Sequence, residues 1–116
     1  MQLTIVGTGY VGLVTGACFA EMGNRVICVD IDEKKINALN NGIVPIYEPG
    51  LKRIITECSA KATLQFSTSL KDSLEGTKIA FIAVGTPLGE DGTADLKYVV
   101  SAAREIGRLM SDDLVV

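Results

Sequence analysis

The sequence predicts an α/β domain built on an open, mainly parallel, doubly wound sheet, and three observations lead there. Short β-branched runs alternate with stretches of helical periodicity along the chain. The runs are apolar over most of their length, as strands covered on both faces require. A glycine-rich turn follows the first of them. The expected strand order is 3-2-1-4-5 with right-handed crossovers, and ligands should bind beyond the carboxyl ends of the strands where the order reverses.

Residues 2–6 (QLTIV) form the first strand and end at Gly7. Leu13, Val14, Ala17, Phe19 and Ala20 then recur at roughly helical spacing up to Met22, and Gly23 with Asn24 stops that helix. Arg25–Val29 is the second strand, followed by Asp30. Asp32 can cap a helix carrying Ile36 and Leu39, closed by Asn41 and Gly42. Pro49 suits the first turn of a helix through Leu51, Ile54 and Ile55, with Glu48 favouring its positive end. Leu64–Ser67 is a weaker strand and Ser69–Leu74 a short helix. Ile79–Val84 (IAFIAV) is the most apolar strand. After a polar loop, Asp95 is expected to cap a helix from about Leu96 to Met110, with Val99, Val100, Ala103, Ile106, Leu109 and Met110 on its buried side. Leu114–Val116 reads as a fifth strand just begun, so the expectation is a domain truncated after the start of that strand.

With 116 residues, 47% hydrophobic and 22% charged, the chain matches one domain able to hold a core without disulfide or metal staples. Eleven Lys and Arg against 14 Asp and Glu give a formal charge of -3, which argues against nucleic acid as the main partner. No apolar stretch is long enough to span a bilayer, and the start MQLTIVG has no basic leader, so a cytoplasmic setting is expected. Cys18, Cys28 and Cys58 lie inside apolar segments and read as buried thiols. The lack of histidine excludes imidazole-based acid, base or triad chemistry within these residues, and no metal site is expected.

The strongest chemical signal is Gly7-Thr8-Gly9-Tyr10-Val11-Gly12, a GxGxxG placed between the first strand and the first helix. Gly7 should permit the tight turn, Gly9 the approach of backbone to a diphosphate, and Gly12 close helix–strand packing. Gly16 and Ala20 extend that small-residue ridge at i+4 spacing. Asp30 follows Gly12 by 18 residues, at the end of the second strand, where a carboxylate would accept from adenosine ribose hydroxyls and repel a 2′-phosphate. NAD is therefore expected over NADP. Lys34 and Lys35 read equally well as solvated helix cations or as groups near that ribose. Val84-Gly85-Thr86-Pro87 leaves the strand expected beside the first, which would put backbone and the Thr86 hydroxyl at the crevice mouth. Together these features specify a Rossmann-like nucleotide-binding domain. Pro45-Ile46-Tyr47-Glu48-Pro49-Gly50 is, by pattern alone, a proline-stiffened helix entrance with no assigned chemistry.

The segments GTGYVGLVTGACFAEMGNRVICVDID, KINALNNGIVPIYEPGL and IAFIAVGTP resemble the amino-terminal, NAD-binding part of the UDP-glucose/GDP-mannose dehydrogenase family over nearly the whole chain. The tyrosine form of PIYEPGL leans toward members that oxidise UDP-glucose to UDP-glucuronate. The resemblance implies a four-electron oxidation with two NAD, in which a cysteine of a later, sugar-binding part traps the aldehyde as a thiohemiacetal and then forms a thioester. None of the three cysteines here matches that cysteine's setting, so no catalytic residue is expected in this chain. By resemblance, Tyr10 and Val11 belong to the cofactor loop, Asp30 and Lys35 to the adenosine ribose, and Gly85, Thr86 and Pro87 to the cofactor crevice. The central and carboxy-terminal UDP-sugar-binding domains would lie outside residues 1–116, in a full-length homo-oligomer. GDP-mannose or UDP-N-acetylhexosamine oxidation, another NAD-dependent dehydrogenase of this fold and a noncatalytic nucleotide-binding module are the competing readings.

Overall fold

The structure is a computed structural model describing residues 1–116. Its four-stranded parallel sheet has the order β3-β2-β1-β4, with β1 at Gln2–Val6, β2 at Arg25–Val29, β3 at Leu64–Ser67 and β4 at Ile79–Ile82. Val115 pairs in parallel with Ile79: its N–H donates to the Lys78 carbonyl at 3.0 Å and its carbonyl accepts from Ala80 at 2.8 Å. This single bridge lies on the β4 edge, the side on which the expected order places a fifth strand.

The helices divide between the two faces. Helices α1 (Tyr10–Glu21), α2 (Glu33–Asn40) and α3 (Leu51–Ala60) cover one face, packing Leu13, Ala17, Ile36, Leu39, Leu51 and Ile55 against Leu3, Ile5, Val26, Cys28, Leu64 and Phe66. Those strand residues are every second position, as the pleat dictates. The other face carries α4 (Leu70–Leu74) and α5 (Lys97–Leu109), whose Leu74 and Ile106 pack with Ala80 in a smaller cluster. Thr4 points to this second face and is fully buried, its hydroxyl bonded to the Ser73 carbonyl (2.9 Å) and to the Thr77 hydroxyl (2.7 Å). The chain thus changes faces between the β1/β2/β3 half and β4. That change creates the reversal point of the sheet, between β1 and β4.

Asp32 caps α2 as expected, accepting from the Lys34 and Lys35 N–H groups. Ser69 likewise caps α4. Several expectations need correction. Pro49 lies one residue before the α3 cap, Gly50, whose φ of 82° suits glycine. The Glu48 carboxylate turns away to Tyr10, leaving its carbonyl to accept from the Leu51 N–H at 3.0 Å. β4 ends at Ile82 rather than Val84 because its partner β1 has ended at Val6. Leu96 holds the α5 cap position, although Asp95 accepts from the Lys97 N–H at 3.0 Å. The buried stripe of α5 runs through Val99, Ala102, Ile106 and Leu109, leaving Val100, Ala103 and Met110 exposed. Among the cysteines, Cys28 and Cys58 are buried but Cys18 is exposed, being on the outer face of α1.

Candidate nucleotide-binding crevice

The turn between β1 and α1 is shaped by its glycines in different ways. Gly7 has φ 113°, and a Cβ there would collide with the Ala83 carbonyl of the segment leaving β4. A Cβ on Gly12 would collide with the Gly7 carbonyl, so the helix rests directly on the turn that precedes it. Further along the ridge, a Cβ on Gly16 would come 2.7 Å from the Cys28 sulfur and 3.3 Å from Ile5 Cδ1. Gly9 is different: it caps α1 in an extended conformation, φ -75° and ψ -167°, and a Cβ there would meet nothing within 4 Å. The N–H groups of Gly9, Tyr10, Val11 and Gly12 make no hydrogen bond within the chain, and the first turn of α1 carries no acidic side chain. The positive end of α1 and its amides therefore face an open surface suited to an anion.

Asp30 stands beside this turn, just past β2. Its Oδ2 accepts from the Thr8 hydroxyl at 2.6 Å and from the Thr8 N–H at 3.0 Å, while Oδ1 accepts from the Asp32 N–H at 3.0 Å. Because Asp32 in turn caps α2, one run of hydrogen bonds joins the glycine turn, the end of β2 and the start of α2. Burial opposes charge on Asp30. The Thr8 hydroxyl, the Asp32 and Thr8 N–H groups and the positive field of Lys35 outweigh it, holding the carboxyl below the usual aspartate range. At neutral pH Asp30 is thus an ionised acceptor. Lys35, exposed in the first turn of α2, acts through its field and makes no ion pair within 4 Å.

A cavity of about 740 Å³ opens where the carboxyl ends of β1, β2 and β4 meet α5. Of the residues expected from the sequence, Gly7, Asp30 and Gly85 line it. Gly9, Tyr10, Val11 and Gly12 belong to the adjoining turn, where Tyr10 and Val11 are exposed. Thr86 and Pro87 lie exposed on the loop after β4 and outside the cavity wall. The far wall, from Leu70, Tyr98, Ala102 and Leu109, was not found by sequence reasoning. The signal for it was the apolar stripe of α5, which serves both as core and as cavity wall.

A second contact missed by the pattern joins Tyr10 to the PIYEPG segment: the Tyr10 hydroxyl donates to Glu48 Oε2 at 2.8 Å. That hydrogen bond, with the charge of Glu48, raises the Tyr10 pKa. Another cavity, of about 660 Å³, lies at the β3 edge near Arg25, Gln65 and Asp72 and contains none of the expected residues. The buried Cys28 thiol is pushed up to about 12 by desolvation and is unreactive at neutral pH. No helix is long and apolar enough to cross a membrane.

Comparison with known proteins gives the same fold. The chain is 49% identical over 106 residues to a UDP-glucose 6-dehydrogenase of Bacillus subtilis, covering 91% of this chain and 23% of that protein. It is 48% identical over 116 residues to a UDP-glucose 6-dehydrogenase of Pseudomonas aeruginosa, covering all of this chain and 26% of that protein. The crystal structure of a ternary complex of GDP-mannose dehydrogenase from Pseudomonas aeruginosa superposes with a TM-score of 0.88 at 38% identity, over 92% of this chain and 24% of that one. The chain thus spans about a quarter of the length of the curated relatives it matches. The model of the NAD-binding domain of one family matches residues 1–116 throughout, and the chain belongs to that family, the UDP-glucose/GDP-mannose dehydrogenases.

Proposed function

We propose that this chain is the NAD-binding part of a longer UDP-glucose 6-dehydrogenase that oxidises UDP-glucose to UDP-glucuronate with two NAD. The observation that carries the reading is the pairing of a glycine turn whose amides are left free with an ionised Asp30 at the reversal point of the sheet. The residues fit the cofactor. Gly7, Gly9, Tyr10, Val11 and Gly12 offer main-chain amides and clearance to its diphosphate, and Gly9 supplies that clearance because its missing side chain leaves open space. Asp30, with Lys35 nearby, takes the adenosine ribose. Gly85 lines the crevice, Thr86 and Pro87 follow it on the exposed loop as further cofactor contacts, and the apolar wall of α5 suits the adenine face. When bound, NAD supplies the hydride acceptor for each of the two oxidations.

UDP-glucose is preferred over GDP-mannose as the sugar nucleotide because the relatives near 50% identity act on UDP-glucose and the tyrosine form of PIYEPGL leans the same way. The chemistry on the sugar belongs to other parts of the protein. Cys28 and Cys58 are buried, and no histidine is present to serve as a base. On its own the 116-residue chain retains partial NAD recognition and turns over no sugar. The longer protein works as a homo-oligomer in the cytoplasm, where the three free thiols of this part stay reduced.

Two measurements test the reading. In the full-length protein, Asp30→Ala weakens NAD binding and narrows its advantage over NADP; calorimetry giving unchanged affinities for both would overturn the assignment. The full-length protein generates NADH absorbance from UDP-glucose and NAD. Steady NADH production by the isolated 116-residue chain would show that the catalytic residues have been misplaced.

A further inference from the structure

Two of the three hydrogen bonds on the Asp30 carboxylate come from Thr8, a position that the glycine pattern leaves open to any residue. Thr8 is only 2% exposed, and its one hydroxyl proton is committed to Oδ2 at 2.6 Å, the short end of the range for a hydroxyl on an ionised oxygen. An ionised carboxylate has about four acceptor positions, two on each oxygen. Thr8 fills both on Oδ2, Asp32 fills one on Oδ1, and one on Oδ1 is left.

We propose that Thr8 is a positioning residue that sets cofactor specificity: by occupying Oδ2 it fixes Asp30 so that Oδ1 alone is offered to an adenosine ribose hydroxyl, with no freedom to move aside for a 2′-phosphate. The proposal rests on the NAD reading above and deepens it. A carboxylate free to rotate could swing away from an added phosphate, leaving the nearby cations Lys34 and Lys35 to compensate it. Held at Oδ2 by two donors from a buried residue, it stays as a fixed negative charge. The ambiguity that those lysines introduce is thereby resolved toward the unphosphorylated ribose.

The test uses calorimetric affinities for NAD and NADP in the full-length protein, on Thr8→Val, Thr8→Ser, Asp30→Ala and the Thr8→Val/Asp30→Ala double variant, with thermal unfolding as the check on folding. Valine keeps the branched shape and the N–H and puts a methyl group in place of the hydroxyl; Thr8→Ala removes the hydroxyl with no added methyl and must report the same loss. Thr8→Val should weaken NAD about tenfold, as expected for one hydrogen bond to a charged acceptor, and narrow the NAD preference by a comparable factor. Thr8→Ser should restore both. In the Asp30→Ala background Thr8→Val should change nothing further, because Thr8 acts through that carboxylate. An unchanged preference in Thr8→Val, or the same loss in both backgrounds, overturns the proposal. Unchanged affinities in Asp30→Ala alone would instead bring down the ribose assignment itself.

Discussion

Replacing Gly9 by valine should separate binding from folding, and the structure says why this glycine differs from its neighbours. Gly9 has φ -75° and ψ -167°, an extended conformation open to valine, and a Cβ there meets no atom within 4 Å. Valine is a poorer helix cap than glycine by roughly 0.5–1 kcal/mol, but it also lowers the entropy of the unfolded chain by a similar amount. The net change should stay within about 1 kcal/mol, which for a domain of this size shifts Tm by no more than about 4–8 °C. NAD binding should suffer far more. The added methyl groups stand where a diphosphate must approach the amides of Gly9, Tyr10 and Val11. Losing two hydrogen bonds to a charged group, at about 1.5–3 kcal/mol each, weakens affinity by at least about 100-fold. Gly12→Ala is the control with the opposite profile, because its Cβ collides with the Gly7 carbonyl. A collision with rigid backbone puts the overpacking cost toward the upper end of about 1–3 kcal/mol, above the roughly 1 kcal/mol gained in helix propensity. Circular dichroism melting and NAD calorimetry on both variants decide the matter. A folded Gly9→Val protein that binds NAD like the parent, or a Gly12→Ala protein that melts no lower than the parent, would refute the reasoning.

Gly16→Ala should destabilise the fold by about 1 kcal/mol, since its Cβ would come 2.7 Å from the Cys28 sulfur, and Cys28→Ala should relieve that contact. Urea unfolding should give a double variant more stable than the sum of the single effects by about 1 kcal/mol or more, and strict additivity would contradict the packing described. Asp30 supplies a pH dependence. Its carboxyl is held below the ordinary aspartate value, so the stability it adds is fully present above that value, about 3.9, and disappears as pH falls through the lower folded value. The stability difference between the parent and Asp30→Asn should therefore hold steady near neutrality and shrink on acidification below about pH 5; a gap independent of pH would count against the bonds from Thr8 and Asp32.

What the sequence made legible follows a physical division between local and distant causes. The bounds of β1 and β2 could be read because apolar β-branched runs end at Gly7 and Asp30, those of β3 because Leu64 and Phe66 alternate with polar Gln65 and Ser67, and the Asp32 and Ser69 caps act on amides two or three residues away. The glycine turn was equally readable, since its conformation is a property of its own residues. The buried side of α5 was not. Its many apolar residues allow several stripes, and the one used was chosen by Leu74 and Ala80 on elements that periodicity cannot position. Glu48 illustrates the same limit at the site. Its proximity to α3 in the chain suggested a role at that helix's end, yet its carboxylate is held by a tyrosine 38 residues earlier. Thr8 combines both cases: it sits inside the most recognisable motif of the chain, but its partner is 22 residues away across the β1–β2 pair. A motif written as glycines records where side chains must be absent. The side chain at its variable position is constrained by what the next strand brings to it, and here that is the one carboxylate on which the reading of the cofactor depends.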